Sequence, residues 1–257
     1  MNNDAIKVHF IGAGPGAEDL ITVRGARLLA RSQVVVYAGS LVNPALLNYA
    51  PGAETHDSAL MTLDEIVATI KRAVDEGKEV ARLHTGDPSL YGAIREQMDA
   101  LTALGVAFDS CPGVSACFGA AAALDLEFTL PGVSQSLVVT RMAGRTPVPD
   151  RECIESFAAH GASMAIYLSA GALDELAARL VAGGYRPETP AALVYKATWP
   201  DEKKFVCTVA ELAQVARDNG IRKTAVVLVG DAVGKRGYEK SKLYAPDFST
   251  EFRKAKE

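Results

Sequence analysis

The chain has 257 residues, which is enough for one large α/β domain or two smaller ones. Hydrophobic residues make up 49% of the chain and charged residues 23%, the balance of a globular protein with a buried core. The formal net charge of −4 and the sequence pI near 5.7 argue against an extended nucleic-acid interface, which usually needs a basic domain.

Neither a membrane span nor a secretion signal is predicted. Apolar runs such as Ala225 to Val229 are far too short to cross a bilayer, and Met1 to His9 lacks the basic and apolar regions of a signal peptide. The four cysteines and four histidines are scattered without a Cys-x-x-Cys pair, so we expect neither a disulfide framework nor a metal site. These features favour a cytoplasmic protein.

The first half of the chain alternates predicted strands and helices. Short apolar runs predict the strands, and apolar residues at helical spacing predict the helices. The strands are Ile6 to Ile11, Val34 to Tyr37 and Val80 to His84, and the helices are Thr22 to Arg31, Thr62 to Gly77 and Gly92 to Leu104. This β-α-β-α order is typical of a mainly parallel sheet.

Two of these helices carry strong sequence signals. Thr62-Leu63-Asp64-Glu65 is a capping box, in which the Thr and Glu side chains satisfy unpaired amides at the helix start, and Gly77 suits the position after the end. In the later helix one apolar face is predicted, made of Ile94, Met98, Leu101 and Leu104.

The second half starts with an alanine-rich helix at Ser115 to Leu124 and then mixes strand directions. The further strands are Leu137 to Arg141, Met164 to Leu168, Ala191 to Tyr195, Phe205 to Cys207 and Ala225 to Val229, and the further helices are Ala172 to Val181 and Thr208 to Arg217. Lys196 to Lys204 is a short connection that predicts a hairpin. We predict two α/β domains, 1–114 and 115–235, and an irregular tail, 236–257.

The first motif is Gly12-Ala13-Gly14-Pro15-Gly16-Ala17, which fits the dinucleotide pattern G-x-G-x-x-[GA] after a strand. Two features argue against a nicotinamide cofactor. No acidic residue that could bind a ribose follows the second strand, in Val34 to Ser40. In addition, Pro15 has no backbone N–H that could donate to a phosphate. A turn without a ligand is a third interpretation, and a turn serving another ligand is favoured.

The second motif is His84-Thr85-Gly86-Asp87-Pro88-Ser89-Leu90-Tyr91-Gly92. Gly86 lets a ligand approach the backbone, whereas Asp87 could either cap the following helix or accept hydrogen bonds from a ligand. Both glycine-bearing loops follow strands of the predicted parallel sheet. Since ligands bind at the carboxyl ends of such strands, the two loops together predict a binding crevice.

Two further segments have structural explanations. In Cys111-Pro112-Gly113-Val114-Ser115-Ala116-Cys117, Ser115 is a natural helix N-cap and the small residues allow close packing. Trp199 is the only tryptophan, and a lone Trp in a turn is usually a packing anchor. The sequence contains neither G-x-S-x-G nor a Walker A motif, so a hydrolase is disfavoured and no catalytic residue is assigned.

Taken in order, these segments resemble the tetrapyrrole methylase family. The matching segments are Gly12 to Gly16, Thr85 to Pro88, Pro112 to Ala116, Tyr167-Leu168 and Ala197-Thr198, and the resemblance runs from about Lys7 to Val233. Three longer segments are similar to the branch that methylates C-11 of precorrin-4: Tyr37 to Val42, Arg82 to Gly92 and Ala197 to Glu202.

The resemblance implies a homodimer of two α/β domains, with a mainly parallel N-terminal sheet, a mixed C-terminal sheet and an S-adenosylmethionine trough between the domains. The cofactor contacts that it implies are Pro15, Thr85, Gly86, Asp87, Leu90, Ser115, Ala116, Leu168, Ala197, Thr224 and Ala225. Uroporphyrinogen-methylating relatives carry Tyr-Asp at the end of the second strand. Here the chain reads Tyr37-Ala38-Gly39, which favours a different tetrapyrrole and leaves a general base unassigned.

The function that the resemblance implies is methyl transfer to C-11 of precorrin-4, or of its cobalt complex, in cobalamin biosynthesis. Such a substrate carries many carboxylates, so we expect basic residues around it, and the candidates are Arg82, Arg141, Arg145 and Lys196. The alternatives are methylation of another tetrapyrrole, of ribosomal RNA or of diphthamide by the same fold. An NAD-dependent oxidoreductase is least favoured, and neither a nucleic acid nor a membrane is an expected partner.

Overall fold

Two units make up the described residues, 8–255, of the computed structural model. The first contains the described residues up to Gly119 together with Lys196–Glu202. The second contains Ala120–Tyr195 and the described residues from Lys203 onward. The domain boundaries predicted after residues 114 and 235 stay predictions.

The first unit is built on a five-stranded parallel sheet with the strand order β3-β2-β4-β1-β5. Its strands are β1 Val8–Gly12, β2 Val34–Tyr37, β3 Glu54–Asp57, β4 Val80–His84 and β5 Phe108–Cys111. Its helices are α1 Val23–Arg31, α2 Leu63–Asp75 and α3 Ile94–Ala103, and α4 Ala116–Ala123 spans the division between the units. The predicted parallel sheet is confirmed.

Apolar side chains cover both faces of this sheet, as a parallel sheet requires. Val34, Val35 and Val36 are fully buried, since alternate residues of a strand face opposite layers. Val34 and Val36 pack in the cluster that α2 and α3 supply, which includes Ile70, whereas Val35 packs in the cluster that includes Leu29 of α1. The central strands are therefore held rigidly, and their carboxyl ends supply fixed starting points for loops.

The capping box predicted at the start of α2 is confirmed. The Thr62 hydroxyl accepts from the Glu65 amide at 3.3 Å, and the Glu65 carboxylate accepts from the Thr62 amide at 2.7 Å. Gly77 follows the helix with φ +76°, a conformation that costs glycine little. The prediction for Leu104 is wrong, because α3 ends at Ala103 and the Leu104 side chain is 47% exposed.

The strands β3 and β5 were missed by the hydrophobic pattern. Both lie at the edges of the sheet, and their sequences, Glu-Thr-His-Asp and Phe-Asp-Ser-Cys, lack a continuous apolar run. An edge strand needs fewer apolar residues than a central strand because one of its sides has no neighbouring strand. The pattern therefore found the three central strands and left out their two flanking partners.

The second unit contains a five-stranded mixed sheet with the order β6-β7-β10-β8-β9, which confirms the predicted mixed pairing. Only β6 and β7 pair in parallel, and β8 and β9 form the predicted hairpin. The strands are β6 Leu137–Arg141, β7 Ser163–Tyr167, β8 Pro190–Tyr195, β9 Lys203–Thr208 and β10 Ala225–Val229, and the helices are α5 Ile154–Ala158, α6 Leu173–Ala182 and α7 Leu212–Asp218.

One core cluster joins this sheet to its three helices. Ile166 of β7 and Leu193 of β8 pack with Ile154, Leu176 and Leu212, one from each helix. The capping box at Thr208 is also confirmed and precedes α7 through a short 3₁₀ turn. The predicted bounds of the five strands, of α6 and of α7 lie close to the observed ones, whereas the short helix α5 was not predicted.

The described part of the tail, 236–255, is irregular apart from one 3₁₀ turn at Lys242–Tyr244, as predicted. The Arg253 guanidinium donates to the carbonyls of Leu243, Ala245 and Phe248, which ties the tail to itself. Within residues 8–255, no helix combines the length and the apolar character needed to cross a membrane.

Candidate functional site

Three loops meet at the carboxyl edge of the first sheet. They follow β1, β4 and β5, which are adjacent parallel strands, so their carboxyl ends lie at one edge. The Gly14 amide donates to the Gly86 carbonyl at 3.2 Å, and the Gly86 amide donates back to the Gly14 carbonyl at 2.8 Å. The first two motifs of the sequence therefore form one bonded structure.

The loops approach so closely that side chains are excluded from their contact. A Cβ on Gly12 would lie 2.5 Å from the Gly113 Cα and 2.7 Å from the Gly86 carbonyl oxygen, and a Cβ on Gly113 would overlap that same oxygen. Gly86 has φ +60°, which also favours glycine. We call Gly12, Gly14, Gly86 and Gly113 the glycine cradle.

Asp87 locks two of these loops together. One of its carboxylate oxygens accepts from the Ser89 amide at 2.9 Å, and the other accepts from the Gly113 amide at 2.9 Å. The alternative that Asp87 caps the following helix is wrong, because α3 starts at Ile94 after Ala93 and has no side-chain cap. The carboxylate spans two loops that are 26 residues apart in the chain.

Gly86 faces the start of α4 across a gap that would just admit a methyl group. A Cβ on Gly86 would lie 3.6 Å from the Ser115 Cα and 3.7 Å from the Ala116 amide nitrogen, with nothing closer. Ser115 is 8% exposed and directly precedes α4, where its carbonyl accepts from the Phe118 amide at 3.0 Å. Gly86, Ser115 and Ala116 are thus close neighbours next to the glycine cradle.

The segment Lys196–Glu202 closes over the first glycine loop within the same unit. The Trp199 indole nitrogen donates to the Pro15 carbonyl at 3.2 Å, and the ring lies where a Cβ on Gly16 would be. The Thr198 hydroxyl accepts from the Ala17 amide at 3.0 Å. Trp199 is therefore the packing anchor that the sequence predicted, and its contacts also explain why position 16 is a glycine.

Eight of the eleven predicted cofactor residues lie in these loops of the first unit. They are Pro15, Thr85, Gly86, Asp87, Leu90, Ser115, Ala116 and Ala197. The backbone here is strained, since Tyr91, Lys196 and Thr198 all have positive φ without being glycines. Strain of this kind concentrates at ligand sites, where surrounding contacts hold it in place.

The other three predicted cofactor residues come together at one edge of the second sheet. Pairing of Val227 with Ile166, continued along the strands, places Ala225 opposite Leu168, and Thr224 directly precedes Ala225. Leu168 has φ 55° and Thr224 has φ 57°, and the Leu168 side chain is 69% exposed. An exposed leucine on a strained backbone fits a ligand-contacting position better than a packing position.

The end of β2 has no acidic residue of its own, but a carboxylate from the neighbouring strand β3 lies beside it. Asp57, at the end of β3, accepts from the Gly39 amide at 3.0 Å and from the Ala59 amide at 2.9 Å. A Cβ on Gly39 would overlap this carboxylate. Asp57 was not predicted as a site residue, because β3, which positions it, lacks the apolar run that predicts a strand.

The sequence model of the family described as Tetrapyrrole (Corrin/Porphyrin) Methylases matches residues 7–213. The chain belongs to this tetrapyrrole methylase family. It is 46% identical over 256 residues to a cobalt-precorrin-4 C(11)-methyltransferase of Methanocaldococcus jannaschii, covering 99% of this chain and 98% of that protein.

Two solved structures of tetrapyrrole methylases are similar to this chain. The X-ray structure of a cobalt precorrin-4 methyltransferase, a cobalamin biosynthetic enzyme, has a TM-score of 0.86 at 46% identity and covers 88% of this chain and 95% of its own. A uroporphyrin-III C-methyl transferase from Thermus thermophilus, complexed with S-adenyl homocysteine, has a TM-score of 0.76 at 26% identity and covers 90% of this chain and 100% of its own.

Two polar residues of β4 are buried beneath the loops of this methylase. Arg82 is 4% exposed, and its guanidinium donates to Gln97 at 2.8 Å and to the Val36 carbonyl at 3.2 Å. Burial lowers the pKa of Arg82 to about 10. A carboxylate of a substrate in solution cannot reach this side chain. The burial of Arg82 therefore argues against the predicted role in substrate binding.

His84 is likewise 4% exposed and stacks on Phe10 with the ring centroids 6.0 Å apart. Burial, and secondarily the charge of Arg82, lowers the pKa of His84 to about 3. Its Nε2 atom has no hydrogen-bond partner among the residues that the structure describes. The imidazole is therefore neutral near pH 7 and too weakly basic to serve as a general base.

The remaining predicted basic residues differ in their contacts. Lys196 pairs with Asp201 at 2.6 Å and lies 5.3 Å from the centroid of the Trp199 ring. Arg141 donates to backbone carbonyls of the loop that follows β6, and Arg145 is exposed in that loop. Two exposed cations, Arg222 and Lys223, directly precede Thr224 and were not singled out in the sequence. Their position next to Thr224, a predicted cofactor residue, could have identified them as candidate binding residues.

Asp87 gives this site a testable dependence on pH. Burial raises the pKa of Asp87, but the hydrogen bonds from the Ser89 hydroxyl and the Gly113 and Ser89 amides outweigh it and lower the pKa. The stability that the carboxylate contributes is then complete above its unfolded pKa of about 3.9 and is lost as pH falls through the folded pKa.

Asp87→Asn should therefore lower the free energy of unfolding by roughly 1 kcal/mol at pH 7, a figure that allows for solvent screening. This deficit should shrink below about pH 4. Urea unfolding across a pH series measures it, and Asp247→Asn, an exposed carboxylate in the tail, is the control. A deficit that stays constant down to about pH 2 would show that the Asp87 charge contributes nothing.

Proposed function

We propose that this enzyme transfers a methyl group from S-adenosylmethionine to C-11 of precorrin-4, or of its cobalt complex, in cobalamin biosynthesis. The observation that carries the proposal is the 46% identity to a cobalt-precorrin-4 C(11)-methyltransferase over nearly the full length of both chains. The match covers 99% of this chain and therefore spans every loop of the candidate site, so it bears on substrate as well as on fold.

The first unit has the features that S-adenosylmethionine binding needs. Gly86, Ser115 and Ala116 lie next to each other beside the glycine cradle, and Asp87 holds the surrounding loops in place. The proposed cofactor residues are Pro15, Thr85, Gly86, Asp87, Leu90, Ser115, Ala116 and Ala197 in the first unit and Leu168, Thr224 and Ala225 in the second. The S-adenyl homocysteine complex of the Thermus relative supports the cofactor class.

The protein's contribution to the reaction is mainly alignment. S-adenosylmethionine supplies a methyl group already activated on a sulfonium, and the ring carbon of the tetrapyrrole is itself nucleophilic. Rigid strands and bonded loops that fix both partners can contribute roughly 7–11 kcal/mol to lowering the barrier. The pKa shifts fit this role: His84 is too weak a base, and hydrogen bonds keep the Asp87 carboxylate ionised.

Methyl transfer to defined substrates tests this proposal directly. The purified enzyme is supplied with labelled S-adenosylmethionine and, in separate reactions, precorrin-4, cobalt-precorrin-4, uroporphyrinogen III and ribosomal RNA. We expect label at C-11 of precorrin-4 or its cobalt complex, located by NMR of the product. Label in RNA or uroporphyrinogen III, with both forms of precorrin-4 unlabelled, would refute the assignment.

Gly86→Ala separates a cofactor role from a purely conformational one. The new methyl group would lie among Gly86, Ser115 and Ala116, three proposed cofactor residues, so affinity for S-adenosylhomocysteine should fall about tenfold or more. Gly105→Ala is the matched control, because Gly105 has φ +66° and no atom within 4 Å of an added Cβ.

Both variants should lose a similar amount of thermal stability, roughly 1–2 kcal/mol, since both force alanine to positive φ. Calorimetry measures the affinity, and thermal unfolding measures the stability. Equal affinities in the two variants would contradict the placement of the cofactor beside Gly86.

We further propose that the enzyme is a cytoplasmic homodimer. The resemblance to the tetrapyrrole methylases supports a dimer, and four cysteines scattered along the chain without a Cys-x-x-Cys pair suit a reducing compartment. Light scattering after size exclusion should give about twice the chain mass of 27.1 kDa. A mass equal to one chain at micromolar concentration would contradict the dimer, and a tagged copy outside the cytoplasm would contradict the location.

A further inference from the structure

We propose that Arg145 binds a carboxylate of the tetrapyrrole and that Arg141 positions it by holding the loop 142–149. This inference rests on the proposed function, because it assigns a binding residue for that polycarboxylate substrate. It is carried by two independent features of the second unit: an uneven charge distribution at one edge of the sheet, and the hydrogen bonds of the Arg141 guanidinium.

Three segments leave the second sheet at the edge that carries Leu168. Residues 141–149 follow β6, residues 168–172 follow β7, and residues 219–225 lead into β10. Pairing of Arg141 with Tyr167, and the register between β7 and β10, place all three at this edge. We call it the basic edge.

The basic edge has a charge opposite to that of the whole chain. Its three segments contain four cations and no Asp or Glu, whereas the chain has a net charge of −4. The cations are Arg141, Arg145, Arg222 and Lys223. In the part of the chain that the structure describes, none of the four forms a salt bridge. Unpaired cations concentrated at one edge attract an anionic ligand.

The Arg141 guanidinium is committed to its own loop. One terminal nitrogen donates to the carbonyls of Met142 and Thr146, each at 3.2 Å, and the other donates to the Pro147 carbonyl at 2.8 Å. These bonds close the loop onto the end of β6. A lysine has the same charge but cannot donate in this planar, forked pattern.

The base of the loop is fixed as well. The buried Ser169 hydroxyl accepts from the Met142 amide at 3.1 Å and donates to the Tyr167 carbonyl at 2.8 Å. The Gly144 amide donates to the Thr146 carbonyl at 3.1 Å, so the residues on both sides of Arg145 are bonded. The result is an exposed arginine on a backbone that is held in one position.

That arrangement suits recognition of a carboxylate. A guanidinium binds a carboxylate through two parallel N–H···O bonds, and a fixed backbone lowers the entropy lost on binding. Loss of such a charge-assisted contact costs about ten- to a hundredfold in affinity. The nearest alternative is that the bonds of Arg141 only stabilise the fold and that Arg145 is an ordinary solvated charge.

Steady-state kinetics on precorrin-4, or on cobalt-precorrin-4 if that is the better substrate, separates these alternatives. Arg145→Gln should raise KM for the tetrapyrrole about ten- to a hundredfold, with kcat and the affinity for S-adenosylhomocysteine close to wild type. Arg186→Gln is the matched control, because Arg186 pairs with Asp231 beyond the end of β10, at the opposite edge of the same sheet. It should leave all three quantities unchanged.

Arg141→Lys tests the positioning role, because it keeps the charge and removes the forked hydrogen bonds. It should raise KM in the same direction as Arg145→Gln, and the double variant should be little worse than Arg145→Gln alone. If the increases in KM of the two single variants multiply in the double variant, Arg141 does not act through Arg145. That result would overturn the positioning role of Arg141.

Different results would refute the role of Arg145 and the proposed methyltransferase function. An active wild type in which Arg145→Gln and Arg186→Gln have the same KM would overturn the inference and leave the proposed function standing. A wild type that binds S-adenosylhomocysteine but methylates neither form of precorrin-4 would refute the proposed function, and this inference with it.

Discussion

The contact among Gly12, Gly86 and Gly113 is the constraint on which the first unit depends. The backbones of three loops meet there with no room for a Cβ on Gly12 or Gly113, and the paired hydrogen bonds between Gly14 and Gly86 follow from that approach. Such contact is possible only if the strands that carry the loops are rigid. The apolar residues of β1 and β4 supply that rigidity, because they are buried within the sheet.

Most of the strained backbone lies in loops that carry proposed cofactor residues. Among residues 8–255, eight non-glycine residues have positive φ, and six of them lie in or beside segments with proposed cofactor residues: Tyr91, Ala93, Leu168, Lys196, Thr198 and Thr224. Each costs of order 1–3 kcal/mol, which the surrounding structure must offset. In the first unit the bonds of Asp87 and Trp199 contribute to that offset, since both tie a strained loop to a neighbouring loop.

The sequence predicted what depends on local periodicity and missed what depends on distant neighbours. The buried strands β2, β4 and β10 and the two capping boxes follow from patterns a few residues long. The partner of Asp87, by contrast, is 26 residues away, so local sequence suggested a helix cap instead. Arg82 was predicted as a candidate substrate-binding residue, but it is buried and donates to Gln97 on α3, a contact that local sequence does not reveal. The cofactor class came from the family resemblance, since a glycine loop alone fits several ligands.

The glycine loops of the first unit and the basic edge of the second sheet differ in charge. The glycine loops 12–17, 85–92 and 112–116 contain no Lys or Arg and one carboxylate, Asp87, whose lowered pKa keeps it ionised. That composition suits a sulfonium cation. The basic edge of the second sheet holds four cations and no acid, which suits a polycarboxylate. This local charge is opposite to the net charge of −4, so the charge of the whole chain does not predict which ligands it binds.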